Sequence, residues 1–337
     1  MEIVTSLPAL VSMAPGSSDG QRIAFPQIEV IDFGVESIGE FGAKALAKAL
    51  ERCAFPGLKR MDLHSNKIGP DGAKAIALAL GLGSFEALEI MILDDNVIGD
   101  EGLEALASVL EHGRLPRLKR IDFCNNRVGD RGVKALAAAF QRGPFRALEC
   151  IDLHWNRIGD EGAIALAAAF ECGSFPQLKS IKLGENYIGE KGAVAIASAL
   201  ERGSFQALES IHFSVNRIGS DGAKAIASAL EHGSLSNLRY VELGRNGIGN
   251  DGAKALAFAL ERSTLPLLEC MHLSEVRLWH YNLNKGIRNG TMRARQRGRI
   301  LLLLSGENDR CESAAKWFLR KDGDHAVMCR VSKFMLS

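Results

Sequence analysis

The feature that most constrains this chain is a repeat of 30 residues. The segment MDLHSNKIGPDGAKAIALAL begins at residue 61, IDFCNNRVGDRGVKALAAAF at 121 and IDLHWNRIGDEGAIALAAAF at 151, and eight such units fill residues 31–270 without an insertion or a deletion. A chain with this kind of period adds supersecondary units along one axis, and each unit contacts only its neighbours. The length of 337 residues therefore does not indicate two separate globular domains.

Each unit has two halves with different hydrophobic periods. The first half, such as LKRIDF at 118–123, alternates apolar and polar residues, which predicts a short strand. In the second half, apolar residues recur at offsets of 3, 4 and 7, as in Ala163, Leu166, Ala167 and Phe170, which predicts an α-helix. Because helices need about 8–10 Å between axes and strands only about 4.8 Å, the stack must curve. The predicted fold is an α/β solenoid, a horseshoe of eight regular units with parallel strands on its concave face.

The ends of the predicted helices carry two further signals. Glycine follows most helices, where we expect a C-terminal cap at positive φ. These glycines are Gly83, Gly113, Gly143, Gly173, Gly203 and Gly233. Asp160 and Glu161 lie in a first helical turn, where we expect them to interact favourably with the dipole of their own helix.

The repeat pattern LxxIxLxxNxIGxxGAxALAxAL resembles the leucine-rich repeat of the ribonuclease-inhibitor-like class. It is also similar to the repeats of NOD-like receptors and of the Ran GTPase-activating protein. The resemblance covers roughly residues 25–278. It implies a horseshoe whose concave face and following loops bind ligands. We expect a non-catalytic protein–protein interaction scaffold without a cofactor or a metal ion.

Asparagine recurs once per unit at the end of the predicted strand. The seven positions are Asn66, Asn96, Asn126, Asn156, Asn186, Asn216 and Asn246, and Glu36 replaces the asparagine in the first unit. A polar side chain repeated on successive turns is best explained as a ladder that satisfies backbone groups, and the resembling family uses its asparagines in that way. We interpret these residues as structural.

The positions that point outward from the strands are free to vary, and they form the candidate protein-binding site. Its residues are Asp62, His64, Asp94, Asp95, Asp122, Asn125, Asp152, His154, Trp155, Lys182, Glu185 and Tyr187. Trp155 lies near the middle of the array within reach of Tyr187, and an exposed tryptophan flanked by charge is typical of a binding hot spot. The aspartates predict an acidic surface that steers a basic partner.

Two catalytic alternatives follow from the same residues. Cys124, His154 and Asp152 could form a nucleophile–base–acid set across neighbouring strands, but no oxyanion hole or closed pocket is indicated. A GTPase activator could use the rim arginines Arg127, Arg157 and Arg217, although no local motif assigns them that role. His64 and His154 lie three strands apart, too far to share a metal ion. We therefore expect no enzyme activity and no metal site.

Domain organisation follows from where the repeat begins and ends. We assign residues 1–30 to an N-terminal cap or degenerate repeat, 31–278 to the solenoid and 279–337 to a basic C-terminal tail or cap. Residues 277–337 contain 13 Lys and Arg and 5 Asp and Glu, so they carry +8 and the rest of the chain −7 within a total of +1. The tail could bind nucleic acid or an anionic membrane surface, but a solvated connector is the simpler interpretation, and nucleic-acid binding is not favoured.

The cysteines and the apolar segments bear on the cellular environment. Seven cysteines without a CxxC spacing favour reduced thiols over disulfides or zinc. No apolar run approaches the roughly 18 residues that a transmembrane helix needs, and the N-terminus does not fit a secretory signal. We expect a monomer in the cytoplasm or the nucleus with a protein partner of unknown identity.

Overall fold

A computed structural model of the protein describes residues 2–13, 22–143, 145–172, 175–203, 205–262 and 265–273. The strands are β1 (Glu2–Val4), β2 (Ile23–Ala24), β3 (Ile28–Asp32), β4 (Cys53–Ala54), β5 (Arg60–Asp62), β6 (Ile90–Ile92), β7 (Arg120–Asp122), β8 (Cys150–Asp152), β9 (Ser180–Lys182), β10 (Ser210–His212), β11 (Tyr240–Glu242) and β12 (Cys270–His272). The helices are α1 (Leu7–Ser12), α2 (Gly39–Arg52), α3 (Gly69–Leu82), α4 (Gly99–Glu111), α5 (Asp130–Arg142), α6 (Asp160–Cys172), α7 (Glu190–Arg202), α8 (Gly219–His232) and α9 (Gly249–Arg262).

Ten of these strands form one parallel sheet in the order β1-β3-β5-β6-β7-β8-β9-β10-β11-β12. From β3 onward the register never shifts, so residues 30 apart lie side by side: Asp122 pairs with Asp152, and Asp152 with Lys182. Each long helix packs on the next, from α2 to α9. The predicted strand–helix solenoid with parallel strands is confirmed.

The core lies between the sheet and the helices. One strand residue per unit points into it and is buried: Ile31, Met61, Met91, Ile121, Ile151, Ile181, Ile211, Val241 and Met271. Alanines line the inner face of each helix, and small side chains let neighbouring helices approach closely. Phenylalanines connect successive units, for example Phe140 with Phe175 and Phe170 with Phe205, whose rings meet edge to face at 5.6 and 5.9 Å.

The glycines after the helices serve close packing rather than positive φ. Gly143 and Gly203 have φ of −90° and −78°, so the expectation of a left-handed cap is wrong for them. A Cβ at Gly143 would lie 2.6 Å from the ring of Phe145, and one at Gly203 would lie 2.5 Å from that of Phe205. The missing side chain makes room for the phenylalanine two residues later. Gly113 does have a positive φ, of 65°, and Gly173 lies outside the described residues.

The recurring asparagines form a continuous hydrogen-bonded ladder. Asn156 is typical: its Nδ2 donates to the carbonyls of Phe123 and Leu153 at 2.9 and 3.1 Å. Its Oδ1 accepts from the backbone N–H groups of Asn126 and Val128 at 3.1 and 2.9 Å. All seven asparagines are buried. Each therefore satisfies backbone groups of its own unit and of the preceding one, where the strand has ended and the helix has not begun.

Three aspartates cap helices, but not the helices that contain them. Asp130, in the first turn of α5, accepts hydrogen bonds from Gly159 N and Gly162 N at 2.6 and 3.0 Å. Those two groups lie at the start of α6. Asp100 makes the same pair of bonds to the start of α5, and Asp160 to the start of α7. The expectation that Asp160 acts on its own helix is thus corrected: it satisfies free N–H groups of the following helix.

The conformation of the glycine before each helix follows this cap. Where the preceding helix lacks the aspartate, the entry glycine has a positive φ between 62° and 69°: Gly39, Gly69, Gly99, Gly219 and Gly249. Gly129 and Gly189, whose N–H groups the aspartates accept, have φ of −105° and −92°. One side chain thus selects between two turn conformations in the next unit.

Replacing Asp130 with alanine should lower the free energy of unfolding by about 1–2 kcal/mol, because two N–H groups at the start of α6 lose their acceptor. Urea denaturation followed by circular dichroism measures this. Asp221 is the matched control: it also lies in a first helical turn, but its carboxylate pairs with Lys224 at 2.8 Å on the surface. Equal losses for Asp130→Ala and Asp221→Ala would rule out a role of the cap in stability.

Charges alternate along the edge where the chain enters the strands. Acid and base alternate from one unit to the next at this position: Glu29, Lys59, Glu89, Lys119, Glu149, Lys179, Glu209, Arg239 and Glu269. Ion pairs of 2.5–3.0 Å join Lys59 to Glu29, Lys119 to Glu89, Lys179 to Glu149 and Arg239 to Glu269. In an in-register parallel sheet, identical charges at this position would stand next to one another. The alternation, a 60-residue period, removes that repulsion.

The first end of the solenoid is covered by β1 and α1. β1 pairs with β3, α1 packs on α2, and Val4 and Leu10 are buried. The predicted tail at 279–337 lies outside the described residues. Within the described part, no helix is long and apolar enough to cross a membrane.

Candidate protein-binding site

The concave face consists of the strand residues that point away from the helices and of the second and third residues after each strand, such as His154 and Trp155. Aspartate recurs in its central row: Asp32, Asp62, Asp122 and Asp152, continued by Lys182, His212 and Glu242. Because the strands are in register, each of these residues lies beside the equivalent residue of the next unit. The chemistry of this face therefore depends on neighbours 30 residues away.

Asp62 is tied to two residues of its own unit. Its carboxylate is 2.6 Å from Arg60 Nη2 and 2.7 Å from His64 Nδ1, and only 4% of the residue is exposed. Burial opposes its ionisation, but the hydrogen bond and charge of His64 hold the pKa of Asp62 below its ordinary value. The same hydrogen bond raises the pKa of His64. Asp62 and His64 thus each favour the charged form of the other.

The centre of the face holds two adjacent carboxylates whose pKa values are shifted in opposite directions. Asp122 pairs with Arg120 at 2.9 Å, while Asp152 pairs with Lys182 at 3.1 Å and lies 3.5 Å from His154 Nδ1. Burial, reinforced by the charge of Asp152, raises the pKa of Asp122 to about 6. Burial also opposes ionisation of Asp152, yet Lys182 and His154 hold the pKa of Asp152 well below its usual range.

These contacts correct the expectation of an exposed acidic surface. Asp122 and Asp152 are 4% and 6% exposed, and each has a cation beside it. Their charges are therefore balanced inside the protein and contribute little to long-range steering of a partner. Sequence spacing contained part of this signal, since arginine lies two residues before both Asp62 and Asp122.

The remaining acidic candidates are half-buried. Asp95 accepts hydrogen bonds from Ser65 Oγ at 3.1 Å and from Asn125 Nδ2 at 2.8 Å, so it joins three units at the edge of the sheet. Asp94 is half-buried beside it. Glu185, two units further from Asn125, is also half-buried, and burial raises its pKa.

Two histidines occupy space left by glycines in adjacent units. A Cβ on Gly34 would lie 2.1 Å from the ring of His64, and one on Gly184 would lie 2.7 Å from His154 Nε2. The ring of His154 also meets that of His212 edge to face at 5.9 Å. Sequence reasoning missed the two glycine–histidine contacts. The signal was present, because Gly34 and His64, and likewise His154 and Gly184, occupy the same position in neighbouring units.

Two aromatic side chains project into solvent beyond the carboxyl ends of strands β8 and β9. Trp155 is 52% exposed and Tyr187 51%. Their rings form no aromatic pair in the described part of the chain; Tyr187 instead lies 5.1 Å from the guanidinium of Arg217. Trp155 has a φ of 54°, a left-handed conformation that is costly for a bulky residue. Asn125 and Glu185 occupy the same position in the flanking units at φ of 53° and 54°.

The residue after each ladder asparagine lies on the rim between sheet and helices. We call this set the rim row: Lys67, Val97, Arg127, Arg157, Tyr187, Arg217 and Gly247. All of them except half-buried Val97 are exposed. The rim row runs beside Trp155 and carries four cations but no acid. The candidate site thus combines a neutralised strand surface with an exposed aromatic and basic edge.

The geometry of the described residues gives little support to a cysteine nucleophile or to a metal-binding site. Burial raises the pKa of the Cys124 thiol well above its usual value and that of Cys150 to about 11. Both thiols are therefore protonated at neutral pH and are weak nucleophiles. In the described ranges, no three His, Cys, Asp or Glu side chains are grouped so as to hold a metal ion.

Comparison with known proteins identifies the repeat. The family model described as "Leucine Rich repeat" matches residues 58–77, 88–107, 116–137, 146–167, 206–227 and 234–257. No curated protein sequence matches the chain.

Solved structures of two other proteins resemble parts of the chain. The actin-binding site 2 of leiomodin-1 is 16% identical with a TM-score of 0.34, covering 55% of this chain and 91% of that one. A chain of the yeast Rad7–Elc1 complex is 13% identical with a TM-score of 0.37, covering 81% of this chain and 74% of that one.

The six repeat matches fall on strand–helix units of the single parallel sheet, four in succession and two more after one unmatched unit. They do so in the register that the 30-residue period requires. The chain is a leucine-rich-repeat protein.

Proposed function

We propose that this protein is a non-catalytic scaffold that binds a partner protein on the concave face, with Trp155 and Tyr187 as the contact centre. The leucine-rich-repeat fold is consistent with a protein–protein interaction scaffold. The resemblance of the repeat pattern to the ribonuclease-inhibitor-like class supports placing the chain in that class.

The observation that carries the proposal is the exposure of Trp155, a large aromatic residue at a position where the backbone is left-handed in each of the eight units. Fully burying a side chain of this size against a partner supplies several kcal/mol of hydrophobic free energy. Folding gains none of that from the exposed half of the ring, and the backbone conformation adds a cost. A side chain that is unfavourable for folding but large, rigid and exposed is well suited to binding.

Partner capture from native lysate tests the proposal. Trp155→Ala should abolish or strongly weaken specific partners, on the order of 2 kcal/mol for a hot-spot residue. Phe258→Ala is the matched control, because Phe258 is 57% exposed on α9, away from the concave face. Loss of the same partners with Phe258→Ala, or their retention with Trp155→Ala, would move the binding surface to the helices or to the tail.

No specific observation favours the alternative functions, which are GTPase activation and binding of nucleic acid or membrane by the tail. Arg127, Arg157 and Arg217 are exposed, but they form no catalytic arrangement with other described residues, so a GTPase-activator role is not carried forward. Binding of nucleic acid or membrane by the tail concerns residues outside the described part.

A further inference from the structure

The exposed charge of the candidate site is positive, although its sequence contains many aspartates. Asp62, Asp122 and Asp152 are buried and paired with Arg60, Arg120 and Lys182. The charged side chains beside Trp155 that are exposed rather than half-buried belong to the rim row, above all to Arg127, Arg157 and Arg217. We propose that the partner segment seated on the rim row is acidic, a carboxylate-rich peptide with an apolar or aromatic residue that contacts Trp155. This inference rests on the proposed function and specifies the chemistry of the partner.

The rim arginines differ from most other cations of the described residues in lacking a carboxylate partner. Across the described ranges, Arg127, Arg157 and Arg217 take part in no ion pair, and the contact of Arg217 is with the Tyr187 ring. By contrast, ion pairs hold the cations that precede the strands and many of those on the helices: Lys59, Lys119, Lys179, Arg239, Lys74, Arg131, Lys134, Arg142, Arg202, Lys224, Lys254 and Arg262. The rim row is thus a place where guanidinium groups are left available to another molecule.

The spacing of these arginines suits an extended peptide. Arg127 and Arg217 lie three units apart, which corresponds to about 14 Å at the strand spacing of about 4.8 Å. An extended segment rises about 3.3 Å per residue, so four or five residues span that distance. Guanidinium groups bind carboxylates through two parallel hydrogen bonds. Tyr187, between Arg157 and Arg217 in the row, and Trp155 beside it offer aromatic surface to an apolar residue of the same segment.

A peptide fits this surface better than a nucleic acid does. Beyond the rim row the concave face presents the half-buried carboxyl groups of Asp94, Asp95 and Glu185. Residues 1–276 carry a net −7. A long phosphate backbone would extend past the arginines into this acidic surrounding, and its affinity depends on many simultaneous phosphate contacts. A short acidic segment meets only the basic row.

The test compares defined polymers by fluorescence anisotropy with the full chain at physiological salt. The probes are a glutamate-rich random copolymer of glutamate and tyrosine, a lysine-rich copolymer of lysine and tyrosine, and oligo(dT). Arg157→Glu/Arg217→Glu reverses charge on the rim row. Arg117→Glu/Arg146→Glu is the matched control, since both arginines are exposed in the loops that lead into β7 and β8, at the opposite edge of the sheet.

We expect the glutamate–tyrosine copolymer to bind, the rim reversal to weaken it at least about tenfold and the control to change it less than about twofold. The inference is overturned if the lysine–tyrosine copolymer binds more tightly, if neither copolymer binds, or if the rim reversal leaves binding of the acidic copolymer unchanged. That last result would place the anion site elsewhere, as in the basic tail. Tighter binding of oligo(dT) that depends on the rim row would also overturn it and indicate a nucleic-acid surface.

Failure of this inference is distinguishable from failure of the proposed function. Native partners that are lost with Trp155→Ala but do not depend on the rim arginines would leave the concave-face site standing. The acidic character of the partner would then be wrong.

Discussion

Asn156→Ala is expected to lower the free energy of unfolding by about 3–5 kcal/mol, because several buried polar groups lose their partners at once, each at a cost of about 1–3 kcal/mol. The N–H groups of Asn126 and Val128 lose their acceptor, and the carbonyl of Phe123 loses a donor. Water cannot replace the amide, since the asparagine is buried between two units. Urea denaturation of the full chain, monitored at more than one wavelength, measures the loss.

Asn125→Ala provides the comparison for this prediction. Asn125 is the preceding residue and is half-buried, and its side chain makes one bond, to Asp95 Oδ1 at 2.8 Å. Its removal should cost about 1 kcal/mol. If the two alanine variants unfold at the same urea concentration, the ladder does not hold the units together in the way that its hydrogen bonds indicate.

The second large effect concerns Asp122 and Asp152, which are neighbours in the sheet but should respond oppositely to the same substitution. At pH 7, Asp152→Asn should destabilise the protein by about 3 kcal/mol, because the half-buried ammonium of Lys182 loses its ion pair with this carboxylate. Asp122→Asn should instead stabilise it by about 1–2 kcal/mol. The rise of the Asp122 pKa from 3.8 to about 6 corresponds to at most about 3 kcal/mol, and Arg120 loses part of its pairing energy.

The pH dependence separates the two residues further. The raised pKa of Asp122 means that its ionisation disfavours the folded state above about pH 6 and has no effect below 3.8. The gain from Asp122→Asn should therefore disappear between pH 6 and 4. The pKa of Asp152 is lowered, so its contribution is complete above 3.8 and is lost only below that pH. The cost of Asp152→Asn should persist at pH 4.

Denaturation of both variants and the wild type at pH 7 and pH 4 decides between this account and a simple loss of polar contacts. Equal destabilisation by both variants at pH 7 would contradict the assignment of one strained and one well-paired carboxylate. An Asp122→Asn effect that is the same at both pH values would contradict it as well.

The fold could be predicted from the sequence because the same hydrophobic pattern recurs in eight units. A single unit such as 151–180 would be ambiguous, but the same alternation, helical spacing and asparagine in every unit exclude other arrangements. The period of 30 also fixed the register, since Asp122 and Asp152 can be neighbours only if no unit slips. The bonds of Asn156 followed from the same logic.

The burial of the concave face could not be predicted in the same way. An outward-pointing aspartate is exposed in a flat, isolated strand, but here long side chains from the same strand and the next one cover it. Whether Asp152 pairs with Lys182 or with Arg120 depends on rotamers and curvature, which residue types do not specify. The Asp130 cap was missed for a related reason. The carboxylate of Asp130 accepts hydrogen bonds from N–H groups that lie 29 and 32 residues later in the chain. A sequence pattern, by contrast, predicts that an acid in a first helical turn acts on its own helix.

The sequence shows the rim arginines, but residue types alone do not identify them as the main exposed charge of the site. The importance of the rim row depends on the neutralisation of the aspartates, which only the contacts of Arg60, Arg120 and Lys182 reveal. The 60-residue alternation of Glu89 and Lys119 could have been read from the sequence directly, because it needs only a comparison of every second unit.

The central claim is that a partner protein touches the concave face at Trp155 and Tyr187, and site-specific photo-crosslinking tests it most directly. A benzophenone amino acid placed at 155, 187, 41 or 258 in separate full-length variants samples the proposed site and two exposed aromatic positions on the helices. The account predicts that one partner crosslinks in native lysate from positions 155 and 187 and not from 41 and 258. Crosslinks of the partner from 41 or 258, without any from 155 and 187, would contradict it.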